Sequence, residues 1–158
     1  MNFNNFTIKS QEAVQQAIQL VQNRGQQAIE AEHLLAGVLK VGENVTNFLF
    51  QKLGMNGPQI ANVLDKQIAS LPKVTGGEPY LSRTSNEVLQ KSVELSKGLG
   101  DEYVSLEAML LALLNVKSTA STILKDAGMN EKDLRTAINE LRQGQKVTSQ
   151  SSEDTYQS

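Results

Sequence analysis

Residues 10–39 recur as residues 85–114 at a constant offset of 75, with no gap. Eight of the thirty positions are identical: Ser10/Ser85, Glu12/Glu87, Gln15/Gln90, Leu20/Leu95, Gly25/Gly100, Glu32/Glu107, Leu35/Leu110 and Leu39/Leu114. Most others exchange like for like, as Ile18 for Val93, Ile29 for Val104 and Leu34 for Met109. After one deletion the match resumes at an offset of 74, where Gly54, Met55 and Asn56 answer Gly128, Met129 and Asn130. Such a duplication requires two similar structural units. It also creates an interface between two halves, the kind of place where clefts form.

Hydrophobic spacing makes both units helical. Thr7 is a natural N-cap for a first helix ending near Gly25, with Ala13, Val14, Ala17, Ile18 and Val21 on one face and glutamines on the other. A second helix, residues 31–41, is apolar nearly all round, which places it in the middle of a bundle. Gly37 lowers its helix propensity, and close approach of a neighbouring helix is the expected reason. A third helix is predicted over residues 45–53, and a fourth after Asn56 carries Ile60, Val63, Leu64 and Ile68 inward.

Residues 71–83 hold two prolines and a Gly pair and read as an irregular linker. The pattern then restarts. Helices are predicted over residues 85–99, after Ser105, around Ile123 and Leu124, and after Asn130. The fold class expected is all-α: eight helices, four per repeat, with the two apolar helices meeting at a pseudo-twofold axis. Beyond Val147 the chain is Ser, Gln, Thr and Glu without an apolar period, which predicts a disordered linker or the stump of something longer.

Composition removes several function classes. Fifteen Lys and Arg against 17 Asp and Glu, spread along the chain, form no basic stripe for nucleic acid or an anionic membrane. With no cysteine and one histidine, neither a zinc site nor a Cys-His nucleophile pair can be built. No Gly-Lys dipeptide occurs, so no Walker A loop is present to cradle phosphates. The N-terminus has no basic region followed by an apolar run, and no apolar stretch approaches the roughly 20 residues that span a bilayer. The expectation is a soluble cytoplasmic domain that is not itself an enzyme.

The remaining polar features have structural readings. His33 is expected near the first turn of its helix, hydrogen-bonded or facing solvent. Asp101, Glu102 and Glu107, like Glu30 and Glu32 before them, precede or open a helix and complement its N-terminal dipole.

Several segments together resemble the N-terminal domain of the Clp ATPases, the double Clp repeat. They are Phe6-Thr7-Ile8-Lys9-Ser10-Gln11-Glu12-Ala13, Ile29-Glu30-Ala31-Glu32-His33-Leu34-Leu35 and Gly100-Asp101-Glu102-Tyr103-Val104-Ser105-Leu106-Glu107. The linker Leu71-Pro72-Lys73-Val74-Thr75-Gly76-Gly77 resembles that of the disaggregase branch. The resemblance covers essentially the whole chain and implies a Clp repeat domain over residues 1–146, with repeats at about 6–71 and 82–146. Residues 147–158 then lead toward ATPase modules outside this sequence.

It further implies a domain that binds exposed apolar segments of unfolded or aggregated clients weakly, in a groove between the repeats. The parent would be a hexameric ATP-driven unfoldase that works with a DnaK-type chaperone, and the isolated domain a monomer. No cofactor is implied in this chain; ATP and Mg belong to the parent. The family's substrate-affecting positions fall on Thr7, Asp101 and Glu107, with Tyr103 alongside. Two groove positions that are apolar in relatives are Lys91 and Ala108 here. The alternative reading is an adaptor-docking domain of a ClpA- or ClpC-type protease unfoldase.

Overall fold

A computed structural model describes residues 2–156. The first repeat holds α1 (Ile8–Asn23), β1 (Ala28–Ile29), α2 (Ala31–Val41), α3 (Glu43–Leu53) and α4 (Gly57–Ala69). The second holds β2 (Tyr80–Leu81), α5 (Arg83–Gly98), α6 (Leu106–Asn115), α7 (Thr119–Asp126) and α8 (Glu131–Arg142), and α9 (Ser152–Tyr156) follows. The all-α class and the two four-helix repeats are borne out. The ninth helix and the two short strands were not expected.

The duplicated residues do the same work twice. Thr7 and Ser82 cap α1 and α5, each accepting from the N–H three residues on at 3.1 Å. Because Ser82 is the cap, α5 starts at Arg83 rather than Ser85. Asn56 and Asn130 likewise cap α4 and α8, accepting from Gln59 at 3.0 Å and Asp133 at 2.9 Å. Gly25 and Gly100 leave α1 and α5 with φ of 66° and 76°, a conformation that costs glycine little.

The strands show how the halves are joined. β1 pairs with β2 in parallel, Ala28 opposite Tyr80 and Ile29 opposite Leu81. At the equivalent place in the other half, Phe6 bridges Val104. The two connecting bonds correspond: Ser82 N–H donates to Ile29 O at 3.1 Å, and Thr7 N–H to Val104 O at 3.0 Å. Each repeat therefore lends its leading segment to the loop between the first two helices of the other. Two-residue pairings of this length carry no period-2 pattern, so the linker reads as wholly irregular from sequence.

The two apolar helices pack against each other and against helices of both repeats, and their side chains fill the core. From Leu106 to Leu114 every residue of α6 is buried. The role expected of Gly37 is visible: a Cβ there would lie 2.1 Å from the Ala13 carbonyl oxygen, where α1 crosses α2. Val63 departs from expectation. It is 40% exposed, beside Ile60, Leu64 and Ile68, which are buried.

The segment after α8 also departs from expectation. Val147 is fully buried, its carbonyl accepting from Glu102 N–H at 2.8 Å. Ser149 and Ser152 then make the hydrogen bonds of a helix start, with Ser149 N–H donating to Ser152 Oγ at 3.1 Å. Polar side chains hold this segment in place, and hydrophobic periodicity cannot register them. The last two tail positions lie outside the described residues.

Candidate functional site

In each repeat the loop between the first and second helices and the first turn of the second helix hold most of the polar residues singled out in the sequence, and the two copies differ in chemistry. In the first repeat His33 is fully buried. Glu30 N–H donates to its Nδ1 at 2.9 Å, which leaves the proton on Nε2 to donate to Gln26 Oε1 at 2.7 Å. Gln26 Nε2 in turn donates to Ile68 O at 2.7 Å, tying the start of α2 to the end of α4. Burial, with a smaller contribution from Arg24, lowers the His33 pKa to about 4, so the ring is neutral at pH 7. Burial also raises the pKa of Glu32, with nearby Glu30 adding to the effect and a backbone hydrogen bond opposing it.

In the second repeat the same place is ionic. Arg142, 4% exposed at the end of α8, donates from Nε to Glu107 Oε2 at 2.9 Å. Its Nη1 lies 3.1 Å and 3.0 Å from the two carboxylate oxygens of Asp101, and its Nη2 donates to Ser105 Oγ at 2.9 Å. The Asp101 and Glu107 side chains have no exposed surface. Guanidinium suits this role because its donors lie in one plane and reach several acceptors at once.

Glu153 of α9 adds a third carboxylate. Its Oε2 accepts from Thr7 Oγ1 at 2.7 Å and from Leu106 N–H, in the first turn of α6, at 3.0 Å. Its Oε1 is buried without a hydrogen-bond partner among the described residues. Burial first, then the neighbouring Glu107, push its pKa up to about 7 against the hydrogen bonds from Thr7 and Leu106.

The structure thus gathers Thr7, Asp101 and Glu107 into one cluster that spans both repeats, with Glu153 joining Thr7 to the others. All three side chains are buried in this conformation. Tyr103 stands at the edge, half-buried, one residue before the Val104 bridge. Of the two positions that the family resemblance assigns to a groove, Ala108 is fully buried and Lys91 is half-buried, pairing with Glu94 at 3.6 Å.

Sequence reasoning missed Arg142 and Glu153. A signal for Arg142 existed: at the offset of 74 it replaces Ile68, and its partner Asp101 replaces Gln26 at the offset of 75. The second repeat carries charge at two positions that correspond to one contact in the first. Glu153 has no such signal.

A second feature between the repeats is a crevice of about 570 Å³ between α4 and α7, with Ile60, Val63 and Ile123 among its lining residues. None of the four expected site residues lines it. Among the described residues, no group of three or more His, Asp or Glu is placed to hold a metal ion. No helix there is long and apolar enough to cross a membrane.

The family model of the Clp repeat (R) N-terminal domain matches residues 5–126. The chain belongs to this family. The ClpB chaperone protein of Bacteroides thetaiotaomicron is 78% identical over 158 residues, and that of Porphyromonas gingivalis 54% identical over 156. The matches cover 100% and 99% of this Clp repeat domain but only 18% of each relative. The chain is therefore similar to the N-terminal region of ClpB and spans less than a fifth of those proteins. The fold matches the crystal structure of the Hsp104 N-terminal domain from Candida albicans, with a TM-score of 0.83 at 22% identity. That match covers 95% of this chain and 99% of the other.

Proposed function

We propose that this chain is the client-engaging N-terminal domain of an ATP-dependent disaggregase. It takes exposed apolar segments of unfolded or aggregated proteins weakly between its two repeats. The observation that carries this reading is identity of 78% to a ClpB chaperone along the whole chain. It favours the disaggregase reading over adaptor docking in a protease unfoldase.

The chemistry is suited to loose binding. Apolar side chains between the repeats supply contact without a required sequence, and the exposed carboxylate of Glu102, beside Tyr103 in sequence, favours basic-apolar segments. A contact patch smaller than a standard protein interface gives micromolar or weaker affinity, which allows handover to a motor. In a hexameric parent, six tethered copies raise apparent affinity by avidity. ATP with Mg, and a DnaK-type partner, would act on other modules of that parent.

Thr7, Asp101, Tyr103 and Glu107 are the proposed client-binding residues. Given the burial of three of them, they act by shaping the surface that Tyr103 borders. NMR titration with unfolded casein tests this. Shifts concentrated at those four residues support it, and shifts confined to Ile60, Val63 and Ile123 move the binding surface to the α4–α7 crevice. Shifts scattered evenly over both repeats would sink the proposal.

A further inference from the structure

The segment that covers the cluster is attached mainly by polar contacts. Val147 N–H donates to Asp101 Oδ1 at 3.0 Å, and Val147 O accepts from Glu102 N–H at 2.8 Å. Gln150 O accepts from Ile8 N–H at 2.8 Å, and Gln150 Nε2 donates to Asn4 O at 3.0 Å. Glu153 Oε2 completes the set with Thr7 and Leu106. Val147 is the apolar side chain this segment buries. Each of the helices α1 to α8 brings at least two buried apolar side chains to the fold, whereas residues 147–154 bring Val147. A segment with so little apolar burial opens locally without unfolding the rest, because water can replace its polar partners.

The seat of Glu153 is also poorly matched to a charged carboxylate. One oxygen has two donors, while the other is buried with none. On α6 it faces Glu107, which shares the Arg142 guanidinium of α8 with Asp101 from the loop before α6. From the start of α1 it faces the uncharged hydroxyl of Thr7.

We infer that residues 147–154 form a releasable strap over the candidate client site, with Glu153 as its pin. Closed, the strap covers Thr7 and the Asp101–Glu107–Arg142 cluster. Released, it opens that surface to clients and frees the N-terminal ends of α1 and α6. The inference rests on the client-binding reading above for its function, but not for the motion itself. It also gives the strap a pH response. The Glu153 pKa is raised to about 7 when the strap is closed, above the ordinary value of 4.5 when it is open. Its contribution to closure is therefore complete below pH 4.5 and is lost as pH rises through about 7.

Amide hydrogen exchange on the 158-residue chain tests the strap at two donors that it alone satisfies, Leu106 N–H and Ile8 N–H. In Glu153→Ala their protection factors should fall about tenfold or more, while those of His33 and Leu34, at the corresponding turn of the first repeat, stay within about twofold. Glu153→Gln keeps an acceptor oxygen and loses the charge. It should retain protection and abolish the decline that the wild type shows between pH 5.5 and 8. Unchanged protection in Glu153→Ala overturns the strap. So does an equal loss at His33 and Leu34, since that would be global unfolding rather than release.

Fluorescent casein supplies the functional arm: Glu153→Ala should bind it several-fold tighter than Glu153→Gln. Equal or weaker binding means that the strap does not gate the site and overturns the gating claim. If no variant binds casein, the wild type included, the client-binding reading fails, and exchange alone still decides the strap.

Discussion

Positions 26 and 68 of the first repeat correspond to 101 and 142 of the second, and both pairs meet in the structure. In the first, the Gln26 amide bridges the neutral His33 ring to the Ile68 carbonyl. In the second, an aspartate meets an arginine that also holds Glu107. The two repeats make a contact at the same place with different chemistry, neutral hydrogen bonding in the first and a buried ionic cluster in the second. The two solutions carry different risks. A neutral relay loses the net worth of a hydrogen bond when broken, whereas a buried ion pair leaves stranded charge. The ionic version does something the neutral one does not: it stands beside a third carboxylate brought in by the chain's own C-terminal segment.

The largest expected effect separates the two repeats on this ground. Arg142→Ala removes the cation between two buried carboxylates and should destabilise the domain by about 3–5 kcal/mol in urea unfolding. Gln26→Ala, its partner's counterpart, should cost about 1–3 kcal/mol, because it leaves the buried His33 Nε2–H donor unsatisfied, while the Ile68 carbonyl keeps the Leu71 N–H. If the two losses are equal, the second repeat's cluster is not behaving as a buried charge pair.

The next comparison concerns the central helices. Gly37 in α2 corresponds to Ala112 in α6, so the first repeat cannot accept the methyl group that the second already carries. Gly37→Ala should destabilise by about 1–3 kcal/mol through collision with the Ala13 carbonyl, despite a helix-propensity gain of about 1 kcal/mol. The reverse change, Ala112→Gly, should cost about 1 kcal/mol by the ordinary propensity and entropy terms. Guanidinium melts of both variants check the pair. A neutral or stabilised Gly37→Ala would mean that α1 can step away from α2.

These residues also show what could be read in advance. Most helices, several caps and the close approach at Gly37 were legible because each rests on local rules that leave a mark within a few residues, whereas the Ser82 cap and the true start of α5 were missed. Thr7, Asp101 and Glu107 stood out through family resemblance, but their burial did not, because burial here involves a segment distant along the chain, the Val147 bond to Asp101 alone spanning 46 residues. That segment buries Val147 and otherwise works through serine hydroxyls, a glutamine and one glutamate. Such residues read as linker in any window, since nothing in their spacing distinguishes a polar strap from a solvated tail. The strands escaped for a related reason: each pairing is too short to impose alternation.

The smallest effect comes from two titrations that oppose each other. The folded His33 pKa is lowered to about 4 from 6.5, so its contribution to stability is present above pH 6.5 and lost as pH falls through about 4. Glu153 runs the other way, raised to about 7 from 4.5, with its contribution present below pH 4.5 and lost as pH rises through about 7. Glu32, also raised, adds to the second trend. Between pH 4.5 and 6.5 the slopes of His33 and Glu153 have opposite signs and similar size, at most about 1.4 kcal/mol per pH unit for one proton. The wild type should therefore show a shallow stability profile there. Glu153→Gln should make stability rise with pH across that window, and His33→Gln should make it fall. Urea midpoints measured at half-unit steps would show both. Parallel curves for the wild type and Glu153→Gln would mean that the carboxylate beside Glu107 does not titrate in this range, and the opposition between the His33 and Glu153 titrations would disappear.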